Sequence, residues 1–232
     1  LRLVAYRNLK ALGYNDDDTL FAYMVITDIE FGGYSINISI LDLNTNLLTN
    51  NFVFTTDSRC YDDEVLIEEC SALQSRLLIV LERANLDSFG FTGQNSFTQI
   101  ATNSVWQNWI NQQLTFSTRV SGSMPSSLVD YVVRVESIKL IDPEPEGRYV
   151  SDPGYCSGYK LFLSEQIIYE DLISVPEVRN CPEDYSLDMI LCPDQITNPS
   201  DHCIAVIRQM HWGFEGMNWD YIAYPLPKIT MD

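Results

Sequence analysis

Six cysteines carry the most distinctive chemistry in this chain, and their spacing favours disulfide bonds. No two of them form a C-x-x-C pair, so the sequence predicts neither a thioredoxin-like redox motif nor a zinc ribbon. An even number of cysteines fits complete pairing in an oxidising compartment. We expect Cys60 to pair locally with Cys70. The other four allow three pairings that the sequence does not separate: Cys156, Cys181, Cys192 and Cys203.

This cysteine usage predicts a secreted, disulfide-bonded protein. The alternative is a cytosolic or organellar protein with six free cysteines, because free cysteine is also a common buried residue. The chain starts at Leu1 without a methionine, which indicates either a removed leader or propeptide or a trimmed chain. The sequon Asn37-Ile38-Ser39 makes Asn37 the predicted N-glycosylation site.

The sequence contains none of the common catalytic signatures. It has no G-x-S-x-G, H-E-x-x-H, Walker A or G-x-G-x-x-G motif, and only two histidines for acid–base chemistry. Glu215 and Asp220 are candidates for the carboxylate pair of a glycoside hydrolase, which needs two acids about 5–10 Å apart. We favour a protein without enzymatic activity and keep the hydrolase as a third hypothesis.

Clustered acids also suit calcium, which prefers hard oxygen ligands. Asn15, Asp16 and Asp18 lie in one short acidic loop and form the candidate calcium site. Their spacing does not match an EF-hand, and the alternative is an ordinary solvated turn. The sequence predicts no other cofactor.

Aromatic residues are densest near the C-terminus, in a segment that we expect to be loop-like. Trp212, Trp219 and Tyr221 are candidate ligand-binding residues, because aromatic rings pack on the apolar faces of sugars while neighbouring polar groups bind hydroxyls. The same rings could instead fill the core or pack against a partner chain. The sequence leaves these three roles open.

The formal net charge of −18 restricts the partners of this protein. Nucleic acids and anionic lipids are not expected, because both require clustered Lys and Arg. No apolar run approaches the roughly 18–20 residues that a membrane-spanning helix needs. The acidic surface provides solubility and leaves basic proteins and divalent cations as charge-complementary partners.

We predict an α+β fold dominated by strands in antiparallel sheets. Residues 20–55 are expected to form a meander with one solvated face, because Ile36, Ile38 and Ile40 alternate with polar residues. The segment 175–200 is predicted to be mostly loop. Further strands are expected at residues 129–140, 159–168 and 203–210.

Helical spacing of apolar residues predicts one long amphipathic helix over residues 63–84. Two short helices are also predicted. The first covers residues 1–12 and would end at Gly13, and the second covers 104–114 with a capping box at Ser104.

A serine- and glycine-rich segment at 121–127 is the best linker candidate. We therefore divide the chain into residues 1–121, with the meander and the helices, and residues 122–232, a β-rich part that contains four of the cysteines. One domain over residues 1–232 is the alternative.

These features favour an extracellular or surface structural protein that engages other protein chains, including copies of itself. Exposed strand edges and the C-terminal aromatic segment would provide the contacts. The alternative is a carbohydrate-binding module that uses the aromatic segment. The sequence does not identify the partner or the oligomeric state.

Overall fold

The computed structural model describes residues 7–17, 19–29, 33–56, 85–91, 97–102, 112–119, 128–141, 154–172, 181–193, 203–213 and 216–227. In these ranges the chain forms twelve strands in three antiparallel sheets, together with one turn of 3-10 helix, Leu86–Phe89. These ranges contain no helix of seven or more residues. The predicted α+β class is therefore wrong, because the described chain is a β protein. The residues of the predicted long helix, 63–84, lie outside the described ranges.

The first compact unit spans Ala5–Ser96 and contains a four-stranded antiparallel sheet, here called the meander. Its strands neighbour one another in chain order: β1 (Arg7–Tyr14), β2 (Leu20–Ile29), β3 (Gly33–Asp42) and β4 (Leu47–Thr56). Successive side chains of a strand point to opposite faces, so Met24, Ile36 and Ile38 meet on one face and are fully buried there. This confirms the predicted alternation of β3.

Residues 7–14 form strand β1, so the helix predicted over residues 1–12 is wrong for its described part. Leu9 and Ala11 pair with β2, and this ladder outweighs the weak local helix preference of the segment. Gly13, which we expected to end a helix, lies instead at a bulge in β1 with a φ of 116°. Glycine tolerates that backbone conformation at low cost.

The second compact unit includes Phe97–Asp232 and packs two four-stranded sheets against each other in an arrangement here called the sandwich. Its strands are β5 (Phe97–Thr102), β6 (Gln113–Arg119), β7 (Leu128–Ile141), β8 (Tyr155–Leu163), β9 (Gln166–Glu170), β10 (Asp184–Pro193), β11 (Ile204–Gly213) and β12 (Gly216–Pro225). One sheet has the order β12-β11-β10-β5, and the other has the order β6-β7-β8-β9.

The core of the sandwich combines side chains from both sheets. Leu161 of β8 and Leu187 and Ile207 of the other sheet are fully buried in one cluster. The rings of Tyr159 and Tyr185 join the two sheets with their centroids 4.8 Å apart. Aromatic pairs at this separation add to the stabilisation that burial provides.

Four sequence predictions fail in the sandwich. The segment predicted to be loop contains β10, and the aromatic segment forms β12. Pro193 and Pro225 lie at strand ends, where proline is tolerated, so their presence did not exclude the strands. The strand predicted over 159–168 is a hairpin that turns at Ser164, which has a φ of 53°. Finally, Gln113 starts β6, so the helix predicted over 104–114 is wrong at its end, and residues 104–111 lie outside the described residues.

Candidate interaction surfaces

Strand β4 is an edge of the meander and carries exposed apolar side chains. Within the described chain it pairs only with β3. Leu47, Leu48 and Val53 are 65%, 54% and 60% exposed, whereas Phe52 packs against the buried core. The outer N–H and C=O groups of such an edge are a template for pairing with another strand.

The hairpin of β3 and β4 is also depleted of charge. Residues 33–56 contain a single charged side chain, Asp42, although 20% of the residues in the chain are charged. At that average, a segment of this length would carry about five charges. Strand β4 itself has no charged residue, no glycine and no proline.

Other sheet edges carry the features that usually prevent pairing between chains, namely charges, prolines, bulges and short length. Strand β1 has Arg7, Lys10 and a bulge, and β12 has Asp220 and ends at Pro225. Strand β6 ends at Arg119, and β9 is five residues long. Strand β5 is uncharged but has only six residues. Strand β4 is therefore the longest uncharged edge of the described sheets.

A bulge interrupts β4 close to its turn. Thr49 is the extra residue, and its hydroxyl donates a hydrogen bond to the carbonyl oxygen of Ile40 at 3.2 Å. Beyond the bulge, the ladder with β3 is regular from Asn50 to Thr56. The bulge protects the edge near the turn, whereas Asn50–Thr56 keep regular strand geometry.

The turn between β3 and β4 depends on Asp42. Its carboxylate accepts hydrogen bonds from the backbone N–H groups of Asn44 at 2.8 Å and Thr45 at 2.9 Å. The backbone hydrogen bond from Thr45 is the main reason that the pKa of Asp42 is lowered, because it stabilises the ionised form. Asn46 completes the turn with a left-handed φ of 56°.

The outer face of the β11–β12 hairpin brings together two of the candidate ligand-binding aromatics. Trp219 and Tyr221 are two residues apart on β12, so they lie on the same face, and both are partly exposed. Trp212 lies on β11, where its backbone partner is Met217 of β12. The three residues lie on paired strands rather than in a loop, and their role in ligand binding stays a prediction.

Arg208 adds a charge to this aromatic face. Its guanidinium lies 5.5 Å from the ring centroid of Trp219 and forms an ion pair with Asp188. Asp188 is the extra residue at a bulge in β10. The side chains of Arg208 and Asp188 are only 22% and 12% exposed. Sequence reasoning missed the pair, because the two residues meet only through the register of β10 and β11.

The carboxylates considered for hydrolysis do not share this face. Asp220 follows Trp219 in β12 and therefore lies on the opposite face, where its backbone partner is Gln209. Glu215 lies outside the described residues. Among the described residues, the predicted carboxylate pair is therefore not found on the aromatic face. Asp188, which was not one of the two candidates, is already ion-paired with Arg208.

Two disulfides hold the sandwich and resolve the pairing that the sequence left open: Cys156–Cys181 and Cys192–Cys203. The first connects the start of β8 to the segment before β10, and the second connects β10 to the residue before β11. The sulfurs of the second lie in the main core. Cys60 and Cys70 lie outside the described residues.

The side chain of Asn15, one of the candidate calcium ligands, is used within its own loop. Its oxygen accepts hydrogen bonds from the backbone N–H groups of Thr19 and Leu20, each at 2.8 Å, and the residue is buried. Asp16 is exposed, and Asp18 lies outside the described residues. Among the residues described, no group of three or more His, Cys, Asp or Glu side chains could hold a metal. A calcium site at these positions stays a prediction.

The sequon residue Asn37 lies on β3 between Val25 of β2 and Val53 of β4. Asn37 is partly exposed, but Ser39 is buried and its hydroxyl donates a hydrogen bond to Asn51 at 3.2 Å. Val25 lies on the same face as Asn37 and is also buried. The face that we expected to be solvated is therefore only partly solvated. Glycosylation of Asn37 stays a prediction.

Asp171 is a buried carboxylate that no sequence pattern revealed. It accepts hydrogen bonds from the backbone N–H of Tyr159 at 2.8 Å and from the hydroxyl of Tyr169 at 2.7 Å. A Cβ atom placed on Gly158 would lie 3.1 Å from the carboxylate oxygen of Asp171 and would clash with the side chain of Leu140. The close packing and satisfied hydrogen bonds indicate a structural role.

Comparison with known proteins assigns the chain to a family. A family model described as a predicted secreted protein, DUF2259, matches residues 35–226. No curated protein and no solved structure matches the chain significantly. No helix among the described residues is long and apolar enough to cross a membrane. The family description confirms the predicted secreted localisation, and the two disulfides agree with it. The chain belongs to the DUF2259 family of predicted secreted proteins.

Proposed function

We propose that this secreted protein binds another protein chain by accepting an extended strand along β4. The observation that carries the proposal is the combination of exposed Leu47, Leu48 and Val53 with an edge that has no charged residue. Edge strands of this kind recruit partner strands through main-chain hydrogen bonds, and pockets between alternate side chains select the sequence. The protein would act as a structural or adaptor component outside the cell.

The energetics of β4 support strand addition. A strand added along Asn50–Thr56 would cover Val53, which is 60% exposed, and this stabilises the complex by about 1–2 kcal/mol. Each new main-chain hydrogen bond would contribute about 0.5–1.5 kcal/mol net. The other residues of β4 are Leu, Phe, Thr and Asn, and none of them loses charge hydration when it is covered.

A display experiment tests this function. Random decapeptides on phage would be selected against the immobilised full-length protein, and the selected peptides would be measured against Val53→Lys. We expect peptides rich in β-branched and aromatic residues, with at least tenfold weaker binding to Val53→Lys. Lysine on an edge disfavours pairing, and the exposed position leaves room for the side chain.

The control is Leu172→Lys, which makes the same charge change at a side chain that is 79% exposed and lies outside every strand. It should bind the selected peptides like the wild type. Equal binding of the peptides to the Val53→Lys variant and the wild type would refute strand addition at β4.

A carbohydrate-binding function is the second candidate, and the aromatic face supports it. Trp219 and Tyr221 are partly exposed on one face, and Arg208 lies beside the Trp219 ring. Aromatic rings next to a polar donor suit sugar recognition. On a glycan array, a specific signal should disappear in Trp219→Ala and persist in Tyr155→Ala, a control at an aromatic residue that is 46% exposed on β8. An array without signal would count against this function.

A further inference from the structure

We infer that the strand accepted by β4 is β4 of a second copy of this chain, so that the two meanders form one continuous antiparallel sheet. This inference rests on the proposed function of β4 as an acceptor edge. It adds the identity of the partner and the symmetry of the complex.

The composition of β4 allows it to face itself. A dimer with a two-fold axis brings the same surface of both copies together, so that surface must be self-complementary. In an antiparallel β4–β4 pair, only Leu, Val, Phe, Thr and Asn side chains would meet. A Lys or Glu on such a strand would place like charges opposite each other near the axis. The absence of charge from β4 removes that penalty.

The net charge of the chain gives self-association a different salt dependence from binding to a basic partner. Two copies with a net charge of −18 repel each other, although the contact strand is uncharged and Asp42 is the only charged residue in its hairpin. Salt screens this repulsion, with a screening length of about 8 Å at physiological ionic strength. Self-association should therefore become stronger with salt. A basic partner attracted by the acidic surface would bind more weakly with salt.

The length of β4 sets the expected affinity. The regular stretch Asn50–Thr56 provides roughly 24 Å of ladder at about 3.4 Å per residue. A contact of one strand per chain is small compared with a standard protein interface. We expect a reversible dimer with a Kd on the order of 10 µM.

Sedimentation velocity on the full-length protein tests the inference. The sedimentation coefficient would be measured over a concentration series around 10 µM, at about 0.05 M and about 0.5 M NaCl. The wild type should form a dimer whose Kd is at least threefold lower at the higher salt concentration. Val53→Lys should be monomeric, and Asn51→Lys provides a second substitution at an exposed side chain of the regular stretch.

The control variant Leu172→Lys makes the same change in net charge and should dimerise like the wild type. Both β4 variants alter exposed side chains, so their circular-dichroism spectra should match the wild type. A dimer that persists in folded Val53→Lys, or that weakens with salt, would overturn the inference.

A monomer at every concentration and salt level would also overturn the inference, while β4-dependent binding of displayed peptides would leave strand addition intact. If the peptides also bind the wild type and Val53→Lys equally, the proposed function itself fails. The two failures are therefore distinguishable.

Discussion

In the sandwich, two sheets bury one common core and two disulfides connect the surrounding segments, whereas the meander is a single sheet that ends in an uncharged strand. Charged residues, prolines or short length limit most edges of the sandwich. In the meander, only the β1 edge carries features that disfavour pairing with another chain, namely Arg7, Lys10 and a bulge. This difference supports the proposed division, in which the sandwich stabilises the protein and the meander provides the edge for binding.

The largest expected effect concerns the disulfides of the sandwich. Replacing Cys156 and Cys181 together by alanine should lower the free energy of unfolding by about 3.5 kcal/mol, because their loop of 25 residues is released in the unfolded chain. Urea denaturation measures this change. Binding of strand peptides to β4 should be unchanged in the folded variant. A loss of peptide binding would contradict the division of roles between the two regions.

A smaller loss of stability is expected at Asp171. Asp171→Ala removes the acceptor of the hydrogen bonds from Tyr159 and Tyr169 inside the sandwich, and should cost about 2–3 kcal/mol. The variant Asp171→Asn keeps one acceptor oxygen and should lose less. Urea denaturation of both variants tests this order, and equal stability of Asp171→Ala and the wild type would show that the carboxylate has no structural role.

The turn of the meander should show a modest, pH-dependent effect. The pKa of Asp42 is lowered in the folded state, so its contribution is present above the unfolded pKa of about 3.9 and disappears as the pH falls through the lower folded value. Asp42→Ala should therefore destabilise the protein by about 0.5–1 kcal/mol at pH 7, and this difference should shrink below about pH 4.

Asp42→Asn is the matched control, because its amide oxygen can still accept hydrogen bonds from Asn44 and Thr45. This variant should lie closer to the wild type at pH 7. A difference between Asp42→Ala and the wild type that stays constant from pH 7 to pH 3 would show that the ionised carboxylate is not responsible.

The sequence predicted the meander well, because residues 34–56 contain two signals typical of a hairpin, namely alternating apolar residues and a polar turn. Ile36, Ile38 and Ile40 alternate regularly, and β4 follows after a turn rich in Asn and Asp. It failed for β1 and β12, where short-range cues resembled a helix end and a loop. In both strands the pairing partner decides the structure, and pairing across the chain is not encoded in a local window.

The candidate surfaces were predictable only in part. The sequence placed Trp219 and Tyr221 in one candidate site, and strand alternation puts them on one face. It did not reveal the pairing of Arg208 with Asp188, which depends on the register of two strands and on a bulge. The exposed edge of β4 was equally hidden, because sequence alone did not tell which strands lie at the edges of a sheet.

Hydrogen exchange along β4 tests the central claim most directly. The amides of Asn50–Thr56 would be followed in the wild-type protein at concentrations well below and well above about 10 µM. The amides that do not bond to β3 should exchange about tenfold more slowly at the higher concentration, and Val53→Lys should abolish the difference. Exchange rates that are the same at both concentrations, in a protein that also binds no strand peptide, would contradict the account.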